Sequence, residues 1–149
     1  MIRSFAKLDL AALYLLDQIC FPPDIAYSRA ELQYFVTHPN CSCWIAEQAD
    51  KQLAGFVIIE RASRNRRPVG HIVTLDVDPL LRRQGVGRLL MQTAEQPLKR
   101  EGATAISLEV AEDNTTAQQF YRSLGFVMKG RIANYYGGRV DAEVMEKPL

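Results

Sequence analysis

Two glycines one residue apart, in Arg82-Arg83-Gln84-Gly85-Val86-Gly87, stand where an apolar run ending at Asp78-Pro79 hands over to a helix-like pattern. Glycine lets a backbone turn tightly and approach a ligand closely. The first turn of a helix leaves its N–H groups unpaired at the positive end of the helix dipole, which favours phosphate. Arg82, Arg83 and Arg88 crowd the same turn, and guanidinium grips phosphate oxygens in a two-pronged fashion. Neither common nucleotide loop fits. Arg88 and Leu89 follow Gly87 where a P-loop carries Lys and Ser or Thr, and Leu90 stands where a Rossmann turn has its third small residue. Taken alone, a Gly-x-Gly is better explained as a surface turn, so the surroundings have to decide.

Three further residues could do chemistry. Glu109 lies between Leu108 and Val110. Burial among such neighbours would raise its pKa toward the working pH and suit a base acting directly or through a water; a strand residue facing solvent fits the spacing equally well. Tyr121 beside Phe120 reads as a core aromatic that can still use its hydroxyl. His71, one of two histidines, titrates near neutral pH and reads as either a structural residue or an auxiliary base. Cys20, Cys41 and Cys43 are too few and too poorly accompanied for a disulfide framework or a metal site, and no metal is expected.

The elements that must position these residues follow from periodicity. Residues 2–6 alternate as a strand; Asp9 is expected to cap a helix burying Leu10, Leu13, Leu16 or Leu15, and Ile19, ended by Phe21-Pro22-Pro23. Ser28 with Glu31 forms a capping box for a second helix, Arg29 to Val36. Strands are expected from Cys43, from Leu53 to Ile59 with Gly55 a weak point or bulge, and from His71 to Val77. The Arg61–Pro68 stretch between the last two reads as a solvated loop. Val86, Leu89, Leu90 and Leu98 repeat at helical spacing to about Arg100, with Pro97 expected to kink or fray the last turn. A strand over Ile106–Val110 follows, then a helix capped by Asp113 or Asn114 and closed by Gly125. Strands over Phe126–Ile132 and Ala142–Met145 flank a loop, Asn134–Arg139. This order predicts an α+β protein with a mixed, mostly antiparallel twisted sheet of about six or seven strands and about four helices on its faces.

The chain's 149 residues suit one domain, 1–149, with an ordinary balance of 48% hydrophobic and 23% charged residues. Eighteen basic against seventeen acidic side chains, a net charge of +1, do not steer it toward nucleic acid or anionic lipid. No apolar run approaches a membrane span and the first residues lack a signal-peptide core, so a cytoplasmic protein is expected.

The ordered set Val77-Asp78-Pro79, Arg82-x-x-Gly85-x-Gly87, Asn114 and Phe120-Tyr121-x-x-Leu124-Gly125-Phe126 resembles the GNAT superfamily of acetyl-CoA-dependent N-acetyltransferases. The resemblance covers nearly the whole chain and implies the three-layer GNAT fold, with acetyl-CoA as cofactor. It implies that the turn Arg82, Arg83, Gln84, Gly85, Val86, Gly87 and Arg88 binds the pyrophosphate. Leu75, Asp76 and Val77 would pair with the pantetheine arm and present an N–H to the acetyl carbonyl, and Asn114 and Tyr121 would contact the coenzyme.

Leu108-Glu109-Val110, Tyr121 and Asn134-Tyr135-Tyr136 with Asp141-Ala142 are similar to the RimI-like ribosomal-protein N-terminal acetyltransferases. That similarity implies Glu109 as proton acceptor, Tyr121 as proton donor, and His71 at a place where some members carry a tyrosine handling the catalytic water. Phe21-Pro22 and Tyr27 resemble the substrate loop of such enzymes, with Tyr135 and Tyr136 across the channel. The acceptor is expected to be the N-terminus of a protein or peptide, a ribosomal protein among the candidates, used by a monomer or homodimer. An α-amine of pKa about 8 is neutral in roughly a tenth of molecules at pH 7, against roughly one in 2,500 for lysine, and so asks less of one modest base. A small amine such as a polyamine or amino acid, or an acyl-CoA sensor without turnover, are the alternatives.

Overall fold

The computed structural model describes residues 1–149. Its elements are β1 (Ile2–Ser4), α1 (Leu10–Cys20), α2 (Arg29–Thr37), β2 (Cys41–Glu47), β3 (Leu53–Arg64), β4 (Arg67–Val77), α3 (Val86–Arg100), β5 (Ala105–Ala111), α4 (Thr115–Ser123), β6 (Val127–Tyr136) and β7 (Val140–Pro148). The strands form one sheet in the order β1-β2-β3-β4-β5-β7-β6. Every neighbouring pair is antiparallel except β4 and β5. The mixed, mostly antiparallel sheet with four helices is thus the expected architecture. No helix is long and apolar enough to cross a membrane.

Alternation along the strands divides the core between two faces. Leu13 and Leu16 of α1 and Leu32 of α2 pack on Ile45, Phe56 and Ile58 on one side. Leu90, Met91, Ala94 and Leu98 of α3, with Tyr121 of α4, pack on Val57, Ile59, Ile72, Ile106 and Leu108 on the other. The Ser28–Glu31 capping box forms reciprocally, with Glu31 N–H donating to Ser28 Oγ (3.1 Å) and Ser28 N–H donating to Glu31 Oε1 (3.0 Å).

Several local expectations are corrected. Asp9 does not cap α1; its carboxylate accepts from the Ala6 N–H and from Arg3. The buried stripe of α1 runs through Leu13, Leu16 and Asp17, leaving Leu15 and Ile19 exposed. The arginine-rich stretch is hardly a loop. β3 and β4 pair as far as Arg64↔Arg67, because Asn65 and Arg66 both take positive φ (52° and 64°), the conformation of a two-residue hairpin turn that matches strand twist. β6 likewise extends through Asn134 to Tyr136, so only residues 137–139 are loop. α3, by contrast, ends at Arg100 as expected; Pro97 lies within its last turn, and the Leu98 carbonyl accepts from Ala103 N–H just beyond the end.

Two irregularities shape the functional end of the sheet. Ile58 pairs with Thr74 but Ile59 with Ile72, so Val73 is an extra residue on β4. β4 and β5 are joined only at Gly70↔Ile106 and His71↔Ser107, then part. At the other register shift Ala46 pairs with Gly55 and Glu47 with Leu53, placing the bulged residue, Ala54, next to the glycine. A methyl on Gly55 would lie 2.5 Å from the Asp76 carbonyl oxygen and 3.3 Å from Val77 Cα. Gly55→Ala is therefore expected to destabilise the fold by about 1–3 kcal/mol in urea unfolding, through backbone displacement of β4. An unchanged midpoint would show that the pair shifts without cost.

Candidate active site

Where β4 and β5 part they open a cleft of about 760 Å³. One wall is β4: Leu75 and Val77 line the cleft, and beyond His71 the strand has β3 on one side and no strand on the other. Arg82, Arg83, Gly85, Val86, Gly87 and Arg88 close its end. Arg83 (φ 63°) and Gly85 (φ 86°) are left-handed, which turns the chain sharply into α3. No backbone N–H of residues 82–88 reaches an acceptor within the protein. A methyl on Gly87 would stand 3.0 Å from the Phe120 ring, so that glycine lets α4 close over the start of α3. Free N–H groups at a helix start, flanking arginines and a strand edge leading to them fit a diphosphate followed by an amide-bearing arm.

Asn114 and Tyr121 line the same cleft from α4 and its approach. The Asn114 carboxamide oxygen also accepts from Ala117 N–H (3.1 Å) and caps the helix. Two of the residues assigned to the cofactor do not line the cleft. Gln84 faces the opposite depression beside Met1 and Ile2, and Asp76, 1% exposed, turns from the cleft toward α1 because alternation puts its neighbours Leu75 and Val77 on the other side.

On the acceptor side, Glu109 of β5 is joined to His71 of β4, with both carboxylate oxygens 3.0 Å from His71 Nε2. Tyr135 donates its hydroxyl to Glu109 Oε1 at 3.3 Å. Tyr135 is aimed there by an irregularity in β6: Ile132 pairs with Ala142 and Tyr136 with Val140, around Asn134 at φ 52°, whose N–H donates to Asp141 Oδ1. Phe21, Tyr27 and Tyr136 line the cleft, while Pro22 is exposed outside it. The α1–α2 loop and the β6–β7 loop touch across this mouth, with Arg139 donating to Asp24 Oδ2 at 2.7 Å.

The electrostatics overturn the expectation that Glu109 is held near the working pH. Burial does push its pKa up, but the hydrogen bond and charge of His71 and the Tyr135 hydroxyl outweigh it and leave Glu109 below the ordinary carboxylate value. For His71, burial favours the neutral ring, yet Glu109 and, more distantly, Glu60 raise its pKa above 6.5. Burial, aided by the Asp76 charge, holds the Tyr121 phenol far above 10, so its hydroxyl keeps its proton.

The sequence reading missed Asp24 and Arg139, whose separation of 115 residues leaves no local signal. It also missed Asp17, which a signal could have revealed: an acidic residue four places after Leu13 falls on the buried stripe of α1.

Comparisons with known proteins come to the same place. The sequence profile of the Acetyltransferase (GNAT) family matches residues 10–126. N-alpha-acetyltransferase 30 of Schizosaccharomyces pombe is 30% identical over 116 residues, covering 78% of this chain and 77% of that protein. The crystal structure of the ribosomal-protein-S18-alanine N-acetyltransferase from Escherichia coli superposes with a TM-score of 0.83 at 29% identity, covering 100% of this chain and 93% of the other. The crystal structure of a nourseothricin acetyltransferase gives a TM-score of 0.78 at 26% identity, covering 99% and 97%.

The His71–Glu109 pair has a pH signature. A raised histidine contributes stability that is full below about pH 6.5 and is lost as pH rises through its folded value. In an NMR titration, His71 is expected to titrate above 6.5 and to fall back in Glu109→Gln. That variant should lose more stability at pH 6 than at pH 9. A His71 midpoint unaffected by the substitution would separate the two groups.

Proposed function

The chain belongs to the Acetyltransferase (GNAT) family, and from that premise we propose that it transfers the acetyl group of acetyl-CoA to the N-terminal α-amino group of a protein or peptide. Acetyl-CoA, when bound, supplies an acyl thioester already activated toward an amine. The turn at residues 82–88 binds the diphosphate with free N–H groups and arginines, and the open edge of β4 at Leu75–Val77 takes the pantetheine arm and presents an N–H to the carbonyl where charge develops.

The observation that carries this reading is the chain of hydrogen bonds from His71 through Glu109 to Tyr135, set at the cleft mouth where β4 and β5 part. Glu109 lines the cleft and His71 stands behind it, so the pair acts as one proton acceptor. Once His71 is neutral, a proton taken by Glu109 from the incoming ammonium is shared with the ring, whose raised pKa makes it the better resting place. Tyr121, on the cofactor side, holds a proton on its Oη for the departing sulfur. Phe21, Tyr27 and Tyr136 wall the acceptor route and suit an extended peptide start. The relatives named for α-amine acetylation support the same acceptor. In this reading residues 1–149 act as one domain in the cytoplasm, as a monomer or homodimer, with a ribosomal protein N-terminus among the candidate acceptors.

A second reading is a small-molecule amine. The Asp24–Arg139 contact narrows the acceptor mouth as a closed pocket would, and the nourseothricin enzyme shares the fold.

Coenzyme A release measured with peptides bearing free or acetylated N-termini, beside polyamines and amino acids, tests the choice. Turnover confined to free N-termini is expected, and activity that survives blocking would overturn it. Tyr121→Phe is expected to lower kcat by about 10²–10⁴-fold with acetyl-CoA affinity unchanged; equal turnover would remove Tyr121 from the mechanism.

A further inference from the structure

Asp17 of α1 and Asp76 of β4 are 0% and 1% exposed, and their carboxyl groups meet between helix and sheet. Each has one oxygen committed. Tyr27 N–H donates to Asp17 Oδ2 at 2.7 Å, and Thr74 Oγ1 donates to Asp76 Oδ1 at 2.6 Å. The other two oxygens, Asp17 Oδ1 and Asp76 Oδ2, are buried without a partner. Two orphaned acceptors in one buried site are satisfied together by a single proton, whereas two bare carboxylates there would repel with little screening.

We propose that Asp17 and Asp76 share one proton, and that this bridge is the positioning device of the acceptor side: it holds the segment 21–28 against the cofactor strand and releases it when the proton is lost. The consequence follows from the connections. Asp17 grips the Tyr27 backbone, Gln18 Nε2 donates to the Tyr27 carbonyl (3.0 Å), and the Tyr27 hydroxyl donates to the Val73 carbonyl (3.3 Å) on the bulge of β4. Tyr27 is thereby fixed in the cleft wall between cofactor edge and acceptor mouth. Asp76, which does not line the cleft, acts through Asp17 and Tyr27 and is a positioning residue.

The surroundings hold a proton within the pair, and Asp76 is the more strongly raised partner. Burial, then the Asp17 hydrogen bond and charge, drive its pKa well above the ordinary carboxylate value against Thr74 and Arg82. Burial raises Asp17 as well, but less in total, because Asp76 and the Tyr27 N–H favour its charge and only Glu31 of α2 adds to burial. Cys20 of α1, Cys43 of β2 and Tyr121 of α4 feel the Asp76 charge; burial raises all three, so they stay neutral, and Arg82 is the cation that acts on Asp76.

The sign follows from linkage: a carboxyl raised in the folded state costs stability progressively as pH rises from the unfolded value near 4 to the folded one. D76N replaces the shared proton by a permanent N–H donor of the same shape that still accepts from Thr74, and D17N does so from the other side. Because the role of Tyr27 rests on the acceptor assignment above, the first readouts need no acceptor. In ¹³C-labelled protein one aspartate carboxyl is expected to stay protonated at pH 7 and to be absent from D76N. Protection of the Tyr27 amide against hydrogen exchange should fall about tenfold per pH unit above the second ionisation of the pair in the natural protein, and stay level in D76N and D17N. With a free-amino peptide, KM for the peptide should rise over the same range in the natural protein alone, while KM for acetyl-CoA stays flat. Both carboxyls titrating in the ordinary range, or the same pH dependence of Tyr27 protection in all three proteins, would overturn the bridge. A peptide KM insensitive to pH despite a confirmed bridge would overturn its positioning role. If free-amino peptides are not acetylated at all while the NMR and exchange results hold, the bridge stands and the acceptor assignment fails.

Discussion

The parting of β4 and β5 is the constraint on which the rest of this structure depends. The other neighbouring pairs stay joined along most of their length despite their bulges, but here only Gly70↔Ile106 and His71↔Ser107 are joined before the strands diverge. A buried strand edge with unpaired N–H and C=O groups is costly unless something meets it. The chain meets part of it with side chains: the Tyr27 hydroxyl on the Val73 carbonyl, and Cys20 Sγ and Arg82 Nε on the Val77 carbonyl. What they leave between those two residues is an extended edge with no neighbouring strand. The Val73 bulge belongs to the same device, since an extra residue on one strand bends it away from its partner.

Two buried carboxyls beside that opening meet opposite electrostatic surroundings. Glu109 is buried enough to resent its charge, yet a histidine within 3.0 Å turns burial into a stabilised ion pair. Asp76 is more deeply buried and its charged neighbour is the Asp17 carboxyl, so burial and Asp17 outweigh Thr74 and Arg82 and drive it toward its neutral form. Burial alone therefore decides neither case; the neighbour's sign does. One sheet thus carries a charged carboxylate beside His71 at the cleft and, beside Asp17, a carboxyl driven toward neutrality.

Much of this was legible in the sequence. The glycine turn, the capping box at Ser28, the apolar stripes of α3 and the alternation of β5 are local signals, and each gave an element in its place. The fold class followed from their order. What failed depended on distant partners or on conformations that residue type does not announce. Asn65-Arg66 looks like loop because arginine rarely adopts positive φ, yet there it closes a hairpin. Glu109 was expected at high pKa because its sequence neighbours are apolar, while the group that sets its charge, His71, lies 38 residues away. Asp9 was read as a helix cap because nothing local reveals Arg3 reaching for it.

The acceptor mouth depends on the contact least visible in the sequence, Asp24 with Arg139. Their side chains are 47% and 76% exposed, and ion pairs of that kind contribute about 0–1 kcal/mol, too little to hold two loops shut against a binding partner. The loops are nevertheless close for a steric reason. A methyl on Gly137 would lie 2.8 Å from Asp24, so the approach is set by a left-handed glycine (φ 58°) and the ion pair only caps it. A mouth kept narrow by backbone shape and latched by a weak exposed pair admits a slender extended chain after little loosening. The geometry of the latch thus favours an acceptor that enters end-on, with its amine leading.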